Sequence, residues 1–424
     1  MNEIMAVWAE WLKPSAGLPT VQWSILLAMA AIAGHLIQRY TGLPKVVGYS
    51  AVGAVAGLAG FSGAAWPLQG ISLFLLELGV AVVLFEAGGR IPLRWFRHNP
   101  MVLVQSVLES LLTYFAVFWV LVWLDVPHVV AEALAIVAIV ASPAVLSRVV
   151  LDTRASGPVT ERAMVLATLG TLYALTWGSA KAGLMFRPSH PLTDTVYPVA
   201  VVLGLSFVVG AVLALALRSA LRVMNPTSEN TSMLLLALIA AGTALAAHFG
   251  GSAPLAALLG GMLLKQLNPR PWTVPRQLGT AASILTMLMF VLVSVVAARA
   301  DWSAPVVTLV LALIGARALA KITGVALANP GSGASWRQAL WLGCAMAPMS
   351  SVALLLVSQF VVSSPANGPM IARIALPAIL LMEVLGAVIT TLALYRAGES
   401  SKPWQSQVAP MPESRDSTGD RYGA

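Results

Sequence analysis

Arg317 and Lys321 stand four residues apart inside a long apolar run, so one helix carries both on a single face. Charge at membrane depth is costly and is usually retained for function. Such a pair could serve as a fixed counter-charge for a buried acid, or Lys321 could carry a proton. The acids that could partner them are Glu109, ten residues into its own apolar run, and Glu383. Glu109 is the first acid to replace and Glu383 the second. Lys181 lies toward the end of another run, and Glu77 and Glu86 lie in a third. Plainer roles exist for each. Lys321 is about seven residues from its helix end, roughly 10 Å at 1.5 Å per residue, so it could extend to the interface. Glu383 could make a structural hydrogen bond between helices. Glu86 is four residues before Arg90 and suits a simple surface pair. His35 and His248 each stand alone, which suits packing better than proton relay or metal binding.

A second chemistry lies in the breaks. Ala141-Ser142-Pro143-Ala144 and Ala347-Pro348-Met349-Ser350-Ser351 each place proline and small hydroxyl residues near the middle of an apolar run. Proline removes a backbone hydrogen bond and crowds the preceding turn. Backbone groups freed at membrane depth must line a cavity or be buried in protein. Their carbonyls, with Ser142, Ser350 and Ser351, would offer neutral oxygens to a dehydrated alkali cation. The plainer reading is a pair of ordinary proline kinks, as at Pro377.

The elements that must position these residues follow from composition. The chain of 424 residues is 58% hydrophobic and 10% charged, with mean hydropathy +0.84. Soluble proteins carry about 25% charged residues. A polytopic membrane protein is expected, and disorder, collagen and nucleic-acid binding are excluded. Cys344 is the single cysteine, so neither an internal disulfide nor a Cys-rich metal motif is possible. No phosphate-binding lysine loop occurs, which argues against direct nucleotide-driven pumping.

With a span of roughly 20 apolar residues as ruler, we read about 13 transmembrane helices: 21–39, 45–60, 70–89, 99–124, 128–150, 159–184, 195–219, 231–249, 251–266, 278–298, 304–328, 336–362 and 369–395. The second and ninth are short and rich in Gly and Ala, as in closely packed helices. Thirteen divide as a 6+1+6 inverted repeat. Repeat one covers 21–184, the linker helix 195–219 and repeat two 231–395. The two breaks fall in the fifth helix of each repeat, the arrangement of transporters whose broken helices cross near the midplane. Residues 1–20 read as a short outside segment, without the marks of a signal peptide, and 396–424 as a disordered cytoplasmic tail. Eighteen of the 25 Lys and Arg residues fall in one set of loops and the tail, and three (Lys13, Arg187, Arg299) in the other. This bias places the amino terminus outside and the carboxyl terminus inside.

Several motifs resemble the monovalent cation:proton antiporter superfamily, especially its bacterial sodium/proton and potassium-efflux branch. Leu43-Pro44-Lys45-Val46-Val47-Gly48-Tyr49 resembles the start of that family's helix 2, and Leu76 to Val80 with Leu84 to Gly88 its helix 3. Ala316-Arg317-Ala318-Leu319-Ala320-Lys321 resembles its helix 11 basic motif, and Gly343 to Val352 its helix 12. The resemblance implies an all-α sodium/proton antiporter-like fold, a homodimer in the lipid bilayer, and location in a bacterial inner membrane. It also implies monovalent cations and protons as partners, with no cofactor, no resident metal and no nucleic acid or nucleotide. The family places an aspartate in the middle of helix 6. By spacing that place is held here by Thr168-Leu169-Gly170-Thr171, and no acid occurs between Arg162 and Asp194. In that respect the chain resembles an atypical member, one that lacks the helix 6 aspartate. Thr168, Gly170 and Thr171 join Ser142, Pro143, Pro348, Ser350 and Ser351 as ion-pathway candidates. Protonation would fall to Glu109, Glu383 or Lys321, with Arg317 and Lys181 as further charges.

The expected function is secondary exchange of a monovalent cation (Na+ or K+) for protons; the protein is not read as an enzyme. Two other readings remain at this point. One is an uncoupled carrier or channel, which a net positive core would tune to anions. The other is a non-transporting scaffold or sensor on the same fold.

Overall fold

The computed structural model describes residues 18–61, 66–91, 93–184, 193–224, 228–268 and 276–400. Residues 1–17 of the outside segment read at the amino terminus and the tail beyond residue 400 lie outside the described residues, while 18–20 begin the first helix. The described secondary structure consists of sixteen α-helices. In order they are α1 (Leu18–Thr41), α2 (Lys45–Leu58), α3 (Gly70–Gly89), α4 (Leu93–His98), α5 (Pro100–Trp123), α6 (His128–Ile139), α7 (Pro143–Thr153), α8 (Pro158–Leu184), α9 (Thr193–Val223), α10 (Glu229–His248), α11 (Ala253–Leu267), α12 (Arg276–Ala298), α13 (Ala304–Leu327), α14 (Trp336–Ala345), α15 (Ser351–Ser363) and α16 (Gly368–Arg396).

Among the described residues, nine stretches are long and apolar enough to cross a membrane, and shorter apolar helices accompany them. Each segment read from hydropathy is helical to within a few residues at its ends. The runs 128–150 and 336–362 are each divided in two, at the prolines that marked them. Apolar side chains such as Ile25, Trp119, Phe207 and Leu319 lie on the outside. In a bilayer this exposure carries no penalty, since lipid tails are as apolar as the side chains.

The helices pack preferentially in two groups. One contains α5–α8 and α13–α16, and the other α1–α3 and α9–α12. Small residues let the second group close tightly: a Cβ on Gly53 or Gly57 of α2 would lie 2.7 or 2.5 Å from carbonyl oxygens of α12. The groups meet where α16 packs on α2 and α12, and where α8 faces α3 and α9.

The chain just beyond α16 returns to this second seam. Glu399 accepts hydrogen bonds of 2.7 Å from the amides of Val159 and Thr160 and from the Thr160 hydroxyl. A carboxylate thereby satisfies orphan donors at the positive end of α8. Replacing Glu399 with Ala is expected to cost about 1–2 kcal/mol. The melting temperature of detergent-purified protein reports this, and an unchanged value would rule out the capping role.

Candidate functional site

The two interrupted helices meet at their breaks. Pro143 opens α7 without needing a donor, and Ser142 before it is extended (φ −70, ψ 105). The Ser142 amide donates to the Pro348 carbonyl at 2.9 Å, which ties one break to the other. Arg317 of α13 fills the crossing and is 1% exposed. Its Nε donates to Ala138 O at 2.9 Å, and its Nη2 to Val140 O at 2.7 Å and to Met346 O and Pro348 O at 3.3 Å. Its Nη1 donates to Ala347 O at 2.6 Å. One guanidinium thus binds the carbonyls that end both α6 and α14. These are the negative ends of two half-helices, and the cation neutralises both.

Lys321 stands one turn further along α13. Its ammonium pairs with Glu109 of α5 and donates to Ile139 O at 3.1 Å. Thr113 and Ser110 each donate to Glu109 at 3.3 Å. The pair is possible because α13 and α5 touch at Gly324, where a Cβ would sit 2.5 Å from the Glu109 Cα. Lys321 is 1% exposed, so it points into the protein and not to the interface.

The neutral-oxygen cage expected at the breaks is therefore not free. Its carbonyls are taken by Arg317, and the Thr171 hydroxyl donates to Ala141 O at 3.1 Å and Ala167 O at 2.8 Å. Thr168 donates to Met164 O at 2.7 Å, and Gly170 lies against the Ile139 carbonyl. The Ser142 hydroxyl caps Val145 at 3.4 Å. Among these candidates, the Ser351 hydroxyl is buried with no hydrogen-bond partner.

Glu383 of α16 has a different setting. It is fully buried, and three hydroxyls point at it. Ser50 of α2 donates at 2.5 Å and Ser294 of α12 at 2.9 Å to Oε1; Ser350 donates at 2.5 Å to Oε2. Ser350 directly precedes α15, so the carboxylate sits near the positive end of that half-helix. Among the described residues, no basic side chain pairs with it. Ser50 and Ser294 were missed from sequence. Each is a small hydroxyl residue in an apolar run that also holds other hydroxyls, a faint signal without the knowledge that α2 and α12 face α16.

Two cavities lie along the α8 seam. One, of about 310 Å³, is lined by Leu73 and Glu77 of α3, Val202 of α9, Gly250 and Gly251, and by Ser179 of α8 with Ser358, Gln359 and Ser363 of α15. The other, of about 410 Å³, is lined by Ala87, Arg90 and Ile91 and by Ser156, Thr160, Glu161 and Met164. The α8 stretch holding Thr168, Gly170 and Thr171 lies between the residues that line them.

A family model described as "Sodium/hydrogen exchanger, transmembrane" matches residues 25–395. The chain belongs to the sodium/hydrogen exchanger family. The fold agrees. A structure of the sodium proton antiporter MjNhaP1 from Methanocaldococcus jannaschii at pH 8 superposes with TM-score 0.68 and 14% identity, over 89% of this chain and all of that one. A second, electron-microscopic structure of MjNhaP1 gives TM-score 0.60 and 18% identity, covering 95% and 96% of the two chains. No curated protein matches this chain.

In this exchanger-family chain the remaining charged candidates are dispersed. Lys181 of α8 pairs with Glu132 of α6 at 2.7 Å, both about a quarter exposed, apart from the crossing. Glu86 pairs with Arg90 at 2.5 Å, as their spacing suggested. Arg373 pairs with Asp301 in the α12–α13 loop at 2.6 Å. The Ser303 amide, with Arg373, holds the Asp301 carboxyl below the usual carboxylate range. Among the described residues no three metal-ligating side chains cluster.

Proposed function

We propose that the protein exchanges a monovalent cation for protons across a bacterial inner membrane, and that Glu383 is the group for which cation and proton compete. The observation that carries this reading is a buried carboxylate with three hydroxyls and no basic partner among the described residues. Buried charge needs compensation. A proton or a monovalent cation would each leave the site neutral, which is the chemical basis of exchange. A divalent cation would leave it positive in a poorly polarisable interior.

Serine suits both occupants. Each hydroxyl donates to the carboxylate when the site is vacant, and can rotate its lone pairs toward a cation when one enters. Carboxylate plus hydroxyl oxygens form a hard set suited to Na+ or K+ and poor for soft metals. The site also straddles the two helix groups: Ser350 and Glu383 belong to one, Ser50 and Ser294 to the other. Displacement of α5–α8 and α13–α16 against the rest would strip Ser50 and Ser294 from the carboxylate and leave Ser350 in place. This couples occupancy to movement without a helix 6 acid.

Thirteen crossings, the carboxyl terminus inside, and a homodimer formed through helices outside the moving group complete the proposal. The basic bias of one set of loops supports the orientation. An anion carrier draws less support, because Lys321 is matched by Glu109 and Arg317 by backbone carbonyls. In proteoliposomes, sodium, potassium or lithium is expected to dissipate an imposed pH gradient. If none of the three does so, or if uptake proceeds independently of the gradient, the exchange reading fails.

A further inference from the structure

We propose that the cavity at the Gly250 end is a cation vestibule, in which Glu77 captures a monovalent alkali cation in transit to or from Glu383. The inference rests on the exchange reading for its physiological ion, but the site itself stands on separate geometry. Glu77 lies seven residues into α3, roughly 10 Å along the helix axis. A carboxylate at that depth is expensive unless it faces water or a partner. Among the described residues Glu77 has no ion-pair partner, and it lines the 310 Å³ cavity. That volume far exceeds what one water needs, so an ion could enter with much of its hydration shell.

The lining contributed by α8 and α15 combines apolar side chains such as Leu355 and Val362 with neutral oxygen ligands. Ser179 of α8 and Gln359 of α15 meet at 3.5 Å, and Ser358 and Ser363 are buried beside them. Such groups can replace part of a hydration shell without adding charge. Among the described residues that line the cavity, Glu77 is the only charged one. Lys181, two residues from Ser179, is engaged by Glu132 at 2.7 Å. The field inside is therefore negative, which concentrates cations and excludes anions. The cavity at the other end carries both Arg90 and Glu161 and lacks this bias. The vestibule also spans the seam, with Glu77 on one helix group and Ser179 and Gln359 on the other. A cation held there would lie in the path opened when the groups separate. On the orientation proposed above, this is the outer face.

The test separates the two sites. Purified full-length Glu383→Gln protein is titrated with radiolabelled sodium, and separately with rubidium as a stand-in for potassium. Saturable weak binding is expected to persist, and to weaken about tenfold or more when Glu77→Gln is added, with Glu77→Asp restoring part of it. A factor of ten corresponds to about 1.4 kcal/mol. Gln359→Leu on the same background is expected to weaken binding too, and serves if Glu77→Gln does not purify as a monodisperse protein. In proteoliposomes, Glu77→Gln alone is expected to raise the half-saturating cation concentration about tenfold at one face and less than about twofold at the other. No binding to Glu383→Gln protein, binding indifferent to Glu77 and Gln359, or equal shifts at both faces would overturn the proposal. Absence of exchange by the unaltered protein, with Glu77-dependent binding intact, would instead overturn the exchange reading alone.

Discussion

Glu383→Gln is expected to abolish cation-dependent proton movement while leaving the protein folded. Glutamine keeps the shape: its Oε1 can still accept from Ser50 and Ser294 and its Nε2 can donate to the Ser350 hydroxyl, but it neither titrates nor compensates a cation. Leaving one partner of a buried charge pair uncompensated costs about 3–5 kcal/mol. At 1.4 kcal/mol per factor of ten, cation affinity should fall by roughly two to three and a half orders of magnitude. The measurement is dissipation of a pH gradient in proteoliposomes, together with sodium, potassium and lithium titrations. Ser50→Ala, Ser294→Ala and Ser350→Ala should each cause a smaller loss, about tenfold in half-saturation, as befits one hydrogen bond to a charged group. Glu383→Asp should retain part of the activity. Full exchange by Glu383→Gln would remove the carboxylate from the mechanism and return attention to the α8 seam.

The second large effect concerns Glu109 and Lys321. The pair is fully buried, and Lys321 also donates to the end of α6 at Ile139. Lys321→Met alone strands the Glu109 carboxylate, and Glu109→Leu alone strands the ammonium. Either should destabilise the protein by about 3–5 kcal/mol, whereas replacing both with apolar side chains of similar volume is often near neutral. The double variant is therefore expected to recover most of the stability lost by each single one, a strong non-additivity in a double-mutant cycle of melting temperatures. It should also retain exchange, since Glu383 is untouched. A folded double variant without proton coupling would place the pair in the proton path. Additive losses would show that the two charges do not depend on each other.

These two expectations reverse the order suggested by sequence, where Glu109 stood first. Both acids sit ten or more residues inside apolar runs, and nothing in their own segments separates them. The difference lies in what meets them. Lys321 comes to Glu109 from 212 residues away, and Ser50 comes to Glu383 from 333 away. Arg317 shows the same limit from the basic side. Its four-residue spacing from Lys321 placed both on one face, but not which one would find a carboxylate and which would find only carbonyls.

The apolar runs, their lengths and the two proline breaks were legible directly, because a bilayer demands about twenty apolar residues per crossing and proline cannot continue a helix's hydrogen bonds. The breaks at Ser142-Pro143 and Pro348-Ser350 are local chemistry, and they lie where the residues put them. Electrostatic partnership is not local. A helix face is set by its own sequence, but its neighbour is set by how small residues such as Gly324 and Gly57 let whole helices close together. The low charge of the chain, with no acid in the middle of α8, was a fact of sequence. Only the tertiary structure decided that Glu383, approached by serines from α2 and α12, would be the buried acid left without a cation.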